Sequence, residues 1–242
     1  MALSNKRILR HIEKGNIVIE PFDQADLSTS SYDVRLGSWF YREQKPETVP
    51  GRPRLQIFNP YNESDVHRVW GTPQEAQTLE QQIETMFGLN DAMQPAIELY
   101  DLNEEKIGLD DYVIFIEPGE TILGHTLEFI GGLNCITSSM QARSSQGRSF
   151  IGVCKCAGWG DVGYFNRWTM EITNFSRYYT IPLVIGRRYA QIVFPKTGPI
   201  LDKGYGEGGK YQTGSSREEV KNSWKPDMML PKLYIDRDIR KK

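Results

Sequence analysis

The sequence predicts an all-β fold, as a sandwich, a jelly roll or a barrel, and two observations predict it. The second half of the chain contains seven short segments that are rich in β-branched and aromatic residues and are separated by Gly, Pro or Asn. The 22 Gly and 13 Pro show no repeat period, which favours a turn-rich globular chain. The segments are YVIFIEPGE, TILGHTLEFIGG, LNCITSSM, RSFIGVCKC, RWTMEITN, YYTIPLVIG and RRYAQIVFP. So many short strands at this spacing are typical of sandwiches and barrels.

The first 41 residues predict a short helix and two strands. Ser4 can cap the helix, Ile8 begins its apolar face, and Gly15 ends it. Residues 17–22 (IVIEPF) follow as a strand. Residues 30–41 alternate apolar and polar side chains with the period of a half-buried strand.

Residues 42–111 have a different character, because Pro46, Pro50, Pro53 and Pro60 interrupt the regular patterns. One helix is predicted inside them: Thr72 and Glu75 have the spacing of a capping box, Pro73 occupies the first helical position, and Gly88 ends the helix. Its apolar stripe consists of Leu79, Ile83, Met86 and Phe87. We interpret the region as an elaboration on one β domain that spans residues 1–242, serving as a lid or an oligomer contact.

Residues 202–242 predict a flexible end to the chain. The segment DKGYGEGGKYQTGSS is a glycine-rich loop that we expect to order only when something binds. Ser216 and Glu219 form a second capping box, and the basic segment RDIRKK is expected to be a solvated tail.

Charge and composition exclude several classes of protein. The 29 Lys and Arg against 31 Asp and Glu give a net charge of −2, which argues against bulk electrostatic binding of nucleic acid. No apolar run reaches the roughly 18 residues of a membrane span, and the first residues lack the apolar block of a secretory signal. The three Cys indicate no disulfide framework, and His11, His67 and His125 lack metal-ligand spacing. We therefore expect a cytoplasmic protein, of a cell or of an infected host, without a protein-bound metal.

The segment ARSSQGRS is the first candidate for chemistry. Arg143 and Arg148 flank the hydroxyls of Ser144 and Ser145 at a junction between strands. Guanidinium groups match phosphate oxygens, and small residues let backbone N–H groups approach an anion. From composition alone, the plainer interpretation is a surface turn with two solvated arginines.

The segment AGWGDVGYFNRWTMEITN is the second candidate. Asp161 lies in a Gly-flanked turn, and Glu171 follows on a strand whose other face carries Trp168, Met170 and Ile172. A carboxylate on the less apolar face of a strand is usually exposed to solvent. Two carboxylates joined by a tight turn can instead face one pocket and divide acid and base roles.

Taken together, these motifs resemble the family of dCTP deaminases and dUTPases over most of the chain. ILRHIEKGNIVIEPF and SSYDVRLGSWF resemble the amino-terminal pattern of the deaminase branch. RSSQGR is similar to its phosphate and water-holding motif, AGWGDVGYFNRWTMEITN to its A-G-W-x-D-x-G-[FY] turn and T-[LM]-E strand, and KYQTG to its closing segment.

The resemblance implies a distorted jelly-roll or β-clip fold and a homotrimer with active sites shared between subunits. It implies zinc-independent deamination of dCTP to dUTP and ammonia, with Mg²⁺ bound mainly through the triphosphate. A dUTP pyrophosphohydrolase, a bifunctional dUMP-forming deaminase and a non-catalytic nucleotide-sensing or partner-binding trimer remain as alternatives.

Residue by residue, the resemblance assigns Glu171 as the general base and acid. Ser144 matches the hydroxyl that positions the attacking water, together with the carbonyl of Ala157. Asp161 matches the aspartate that contacts the sugar, and in dUTPases activates water against a phosphate. Arg148 matches a phosphate-binding arginine. The other matched substrate-binding positions are Arg143, Ser145, Thr169, Met170, Tyr205, Lys210 and Gln212.

Arg167 departs from the family pattern, which has a small residue before the T-[LM]-E strand. Its guanidinium is expected to pair with Glu171 or with phosphate.

Overall fold

The computed structural model describes residues 1–46, 57–87, 106–201, 203–214 and 216–237. Strands dominate these residues, as predicted. The strands are β1 (Ile17–Glu20), β2 (Tyr32–Arg35), β3 (Trp39–Arg42), β4 (Gln74–Glu75), β5 (Gln77–Thr78), β6 (Tyr112–Ile116), β7 (Thr121–Gly132), β8 (Ser138–Ala142), β9 (Ile151–Gly152), β10 (Trp159–Gly160), β11 (Phe165–Asn174), β12 (Ile181–Val184) and β13 (Arg188–Val193). The helices are α1 (Asn5–Glu13), α2 (Glu63–Trp70), α3 (Leu79–Phe87), α4 (Ser144–Arg148) and α5 (Arg217–Ser223).

Three antiparallel sheets share one apolar core. The largest has the order β4-β3-β7-β11-β9, and β1 also pairs with β7. The second has the order β10-β8-β13-β2 and the third β12-β6-β5. The twelve-residue strand β7 is thus the hub, because β1, β3 and β11 all pair with it.

The core lies where the apolar faces of the strands meet. Tyr32, Val34 and Leu36 are all fully buried, as the alternation in residues 30–41 predicts. On β11, Met170 and Ile172 enter the same core cluster. The opposite face of β11 is therefore free to line a cavity.

The prediction of one continuous strand over residues 30–41 is wrong, because β2 ends at Arg35 and β3 begins at Trp39. The break is enforced by His125 of β7, whose ring lies against Gly37 so closely that a Cβ there would overlap it. The N–H of Gly37 donates to the His125 carbonyl at 2.8 Å.

The predicted helix start at Thr72 and Pro73 is also wrong. Residues 74–75 pair instead with β3, and residues 77–78 pair with β6. Helix α3 begins only at Leu79, where a different capping box forms: Gln81 N–H donates to Thr78 Oγ1 at 3.3 Å, and Thr78 N–H donates to Gln81 Oε1 at 3.1 Å. Residues 74–78 are therefore used in strand pairing with β3 and β6, and the helix cannot begin at Thr72.

The apolar stripe of α3 is buried at Leu79 and Ile83. The side chains of Met86 and Phe87, and Gly88 itself, lie outside the described residues.

Helices α1 and α5 confirm their predictions. Gly15 ends α1 with φ of +70°, although the Ser4 side chain makes no capping hydrogen bond. The capping box of Ser216 and Glu219 starts α5. Among the described residues, no helix has both the length and the apolar character that a bilayer crossing requires.

Candidate active site

A cavity of about 500 Å³ opens on the polar face of β11. Its walls come from β7, β10, β11, the inserted region and the C-terminal part of the chain. The lining residues are Trp70, Leu123, Ala157, Trp159, Gly160, Asp161, Tyr164, Trp168, Thr169, Glu171, Tyr205, Tyr211, Met229 and Pro231. Five of the predicted site residues therefore line the same cavity: Ala157, Asp161, Thr169, Glu171 and Tyr205.

Strand register places Glu171 in this cavity. Met170 and Ile172 on either side of it are buried in the core, so alternation turns Glu171 the other way. In the sheet Glu171 pairs with Leu123, which pairs in turn with Tyr41 of β3. Leu123 also lines the cavity, so the carboxyl group has an apolar neighbour across the sheet.

Burial changes the acidity of Glu171. Its Oε2 atom is buried and has no hydrogen-bond partner among the described residues. Desolvation raises the pKa of Glu171 to about 7, and the cation of Lys155 opposes that rise. A carboxyl group that titrates near neutral pH can both accept and return a proton, as general acid–base catalysis requires.

Asp161 lies in a turn that the later chain holds in place. Gly163 has φ of +95°, and a Cβ there would come within 2.7 Å of the Tyr205 nitrogen. The N–H of Tyr205 donates to the Val162 carbonyl at 2.9 Å, and that of Tyr164 donates to the Asp161 carbonyl at 3.0 Å. Asp161 is exposed to solvent in its part of the cavity.

Aromatic side chains form one wall of the cavity. The ring of Tyr164 meets the rings of Trp168 and Tyr205 edge-on, each with centroids 5.2 Å apart. The Trp168 indole is fixed because its Nε1–H donates to the Ile130 carbonyl at 2.7 Å. A wall of rigid rings suits a planar heterocyclic ligand.

The inserted region contributes a second wall. The Asn62 side chain accepts the Asp65 N–H and starts α2, whose last residue is Trp70. Val66 of α2 packs in one apolar cluster with Met229, and Trp70 packs against that cluster. The insertion therefore builds part of the cavity wall, and its interpretation as a lid or an oligomer contact stays a prediction.

The segment around residues 205–214 packs beside the cavity. The Gln212 side chain accepts the Phe165 N–H at 2.8 Å and donates to the Gly163 carbonyl at 3.1 Å. Lys210 forms an ion pair with Asp236. Neither Lys210 nor Gln212 lines the cavity, whereas the intervening Tyr211 does.

The predicted residues in ARSSQGRS lie elsewhere on this subunit. Ser144, Ser145 and Arg148 lie in helix α4, which begins directly after Arg143, and none of the four residues lines the cavity. Ser144, Ser145 and Arg148 are exposed, and Arg148 has no side-chain partner among the described residues. Arg143 instead pairs with Asp33 of β2, with 3.1 Å between Nε and Oδ2.

The Met170 side chain is buried in the core, so its backbone is the part available to a ligand, which is the contact that the resemblance implies. One further expectation differs from the structure. Arg167 pairs neither with Glu171 nor with another acid among the described residues; its guanidinium packs between the rings of Phe129 (5.0 Å) and Trp224 (4.6 Å). The aromatic pair explains why a long cation fits where the family has a small residue.

The sequence patterns missed several lining residues. Tyr164 and Trp168 stand within the motif that carries Asp161 and Glu171, so their position was a usable signal. Trp70, Met229 and Pro231 carry no such signal, because only the tertiary fold brings them to the cavity.

Comparisons with known proteins identify the family of this chain. The family described as dCTP deaminase-like matches residues 2–71 and 77–197. A Hydrogenobaculum protein named dCTP deaminase, dUMP-forming, is 31% identical over 202 residues, covering 83% of this chain and 85% of its own. A Haloarcula marismortui protein named dCTP deaminase is 27% identical over 227 residues, covering 91% of this chain and 94% of its own.

Among solved structures, the 2′-deoxycytidine 5′-triphosphate deaminase of Agrobacterium tumefaciens has a TM-score of 0.49 and 19% identity, covering 81% of this chain. This chain spans 48% of that protein's length. The match of the family over most of the sequence, including both carboxylates of the cavity, shows that this chain belongs to the dCTP deaminase-like family.

Proposed function

We propose that this chain hydrolyses dCTP to dUTP and ammonia in the cytoplasm, without zinc and with Glu171 as the general base and acid. The observation that carries the proposal is a carboxyl group with a pKa near 7 in an aromatic-walled cavity. The names of the curated relatives support the substrate.

The reaction balances with one carboxylate as the proton carrier. Glu171 accepts a proton from water as the water oxygen bonds to C4 of cytosine, and it returns that proton to N3. Glu171 then takes the proton of the new C4 hydroxyl group and gives it to the exocyclic amine, so that the C4=O bond forms as the C4–N bond breaks and ammonia leaves. Because the same group must be base and then acid, a pKa near the working pH serves both steps.

We also propose that the protein is a homotrimer whose sites are shared between subunits. Helix α4 presents Ser144 and Arg148 to solvent, away from the cavity of its own subunit. Large apolar side chains flank the helix on the surface: Phe150 is 53% and Phe175 64% exposed, and the Phe175 N–H donates to the Phe150 carbonyl. An exposed aromatic patch beside unpartnered polar groups fits a subunit contact that delivers them to a neighbouring cavity.

In that arrangement the hydroxyl of Ser144 and the carbonyl of Ala157 hold the attacking water, while Arg148 and Ser145 bind phosphate. The backbone of Thr169 and Met170 contacts the base. Magnesium enters as part of the substrate, since triphosphate oxygens supply most of its ligands. Among the described residues, no group of three or more His, Cys, Asp and Glu side chains forms a metal site of its own.

A second candidate is a bifunctional enzyme that continues to dUMP. Asp161, exposed on the cavity wall, would activate a water against the triphosphate. Several curated relatives carry the name dUMP-forming, which favours this candidate over a simple dUTP pyrophosphohydrolase.

Product chromatography from dCTP and from dUTP tests these assignments, with Glu171→Gln and Asp161→Asn as variants. We expect the wild-type protein to release ammonia from dCTP, and Glu171→Gln to bind dCTP but release none. Continued turnover by Glu171→Gln would overturn the assignment. If the wild-type protein forms dUMP and Asp161→Asn stops at dUTP, the enzyme is bifunctional. Binding of dCTP with turnover of neither nucleotide would instead show a nucleotide-sensing trimer.

A further inference from the structure

Lys155 lies in a sharp turn that leads directly into the cavity wall. Both Lys155 (φ 35°) and Cys156 (φ 66°) have backbone angles in the left-handed region that favours glycine. The turn is closed by the Ala157 N–H, which donates to the Cys154 carbonyl at 2.6 Å. Two non-glycine residues in this region are strained, and strain of this kind concentrates at functional sites.

The Lys155 ammonium group is tethered to the sheet that carries Glu171. Its Nζ donates to Thr121 Oγ1 at 2.9 Å, and Thr121 Oγ1 lies 2.9 Å from Thr173 Oγ1. Thr121 pairs with Thr173 in the strand register, and the adjoining pair on the same face is Leu123 with Glu171. The cation is therefore held one row of side chains away from the carboxyl group.

The other groups near Glu171 carry no positive charge. Among the described residues, no lysine or arginine lines the cavity. Lys155 is the cation that interacts electrostatically with the Glu171 carboxyl group. The titratable groups that face it from the surrounding elements are Cys154, Asp161, Tyr164, Tyr205 and Tyr211. Cysteine, aspartate and tyrosine side chains have no positively charged form, so none of these replaces the lysine.

We propose that Lys155 is a positioning residue for the reaction: held over the Thr121–Thr173 pair, its ammonium group stabilises the ionised carboxylate of Glu171 that takes the proton from water. The inference rests on the proposed function for its chemistry. Its physical content, the coupling between one lysine and one buried carboxyl group, can be measured whether or not the reaction is the one proposed.

The direct test is titration of the Glu171 side-chain carbon by ¹³C NMR, with Glu171→Gln used to assign the resonance. We expect Lys155→Met to move the midpoint to higher pH by about half a unit or more, since a nearby positive charge favours the ionised carboxylate. Lys155→Arg keeps the charge and should leave the midpoint near its wild-type value. Thr121→Val removes the tether and should give a smaller upward shift than Lys155→Met.

Lys6→Met is the matched control, because it removes an exposed lysine from α1 without touching the cavity. Equal midpoints in wild-type protein and Lys155→Met would overturn the inference, and so would an equal shift in Lys6→Met.

The pH profile of kcat/KM for dCTP supplies the functional readout. The acidic limb of this profile should lie at higher pH in Lys155→Met than in the wild-type protein, and at the wild-type pH in Lys155→Arg. A purely structural role of Lys155 would not produce this pair of results. If the wild-type protein does not deaminate dCTP, the proposed function fails while the NMR titration still decides the coupling.

Discussion

Gly37 lies against the imidazole ring of His125, and the contact joins β7 to the break between β2 and β3. The ring is fully enclosed: Nδ1–H donates to the Thr126 carbonyl at 2.8 Å, and Nε2 accepts the Trp39 N–H at 3.2 Å. Burial lowers the pKa of His125 to about 4, so the hydrogen-bonding network holds a neutral imidazole. His125 is therefore a structural residue at the hub strand.

Replacing Gly37 by Ala should destabilise the fold by about 2 kcal/mol, because the added methyl group overlaps an enclosed ring. Thermal or urea unfolding measures the change. Gly198→Ala is the control, since a Cβ at that position meets no atom within 4 Å. Equal stability of the two variants would show that the ring can move aside.

Glu171→Gln should stabilise the protein at neutral and alkaline pH. The pKa of Glu171 is about 7 in the fold and 4.5 in the unfolded chain, so the folded state binds a proton more tightly. Wild-type stability therefore decreases as pH rises from 4.5 through 7 and then levels off. The amide carries no such penalty, so the stability gain of Glu171→Gln should reach about 3 kcal/mol above pH 7 and vanish near pH 4. If the difference in unfolding free energy between Glu171→Gln and the wild-type protein did not vary with pH, the raised pKa of the Glu171 carboxyl group would be contradicted.

Mixing two inactive variants should restore activity if sites are shared. Glu171→Gln lacks the base, and Arg148→Gln lacks a phosphate ligand that we assign to the neighbouring subunit. After unfolding and refolding together, some mixed trimers contain a site with one intact Glu171 and one intact Arg148. Deaminase activity in the mixture but in neither variant alone supports the shared site. An inactive mixture with confirmed subunit exchange would place both residues in one subunit's site.

The two arginines of ARSSQGRS should respond differently to substitution. Arg148→Gln should weaken dCTP binding and leave the unfolding temperature unchanged, since its side chain is exposed. Arg143→Gln should lower stability by about 1 kcal/mol, because Asp33 is largely buried and Arg143 is one of its two ion-pair partners. Calorimetric binding and thermal unfolding of both variants measure the contrast. If only Arg148→Gln lost stability, Arg148 would be the structural arginine of the pair, and our assignment would be wrong.

Local patterns predicted most of the strands. The alternation around Glu171 identified its strand and the face opposite Met170 and Ile172, whereas the catalytic role of Glu171 is implied only by the resemblance to the family and stays a prediction. The same patterns failed where distant residues decide the structure. The capping signature at Thr72 lost to strand pairing, and the break at Gly37 depends on a ring nearly ninety positions later in the chain. Trp70 and Met229 reach the cavity only by packing together, which no local pattern records.

The residues that line the cavity lie far apart in the sequence, so the ribosome adds them at different times. Because synthesis runs from the amino terminus, a nascent chain contains the segment that carries Glu171 before Tyr205, Tyr211, Met229 and Pro231 have been made. A ribosome that stalls in that interval holds a polypeptide that includes the acidic group but lacks one wall of the cavity. Such truncated products should not bind or convert nucleotides, so activity requires that the chain be translated as far as Pro231.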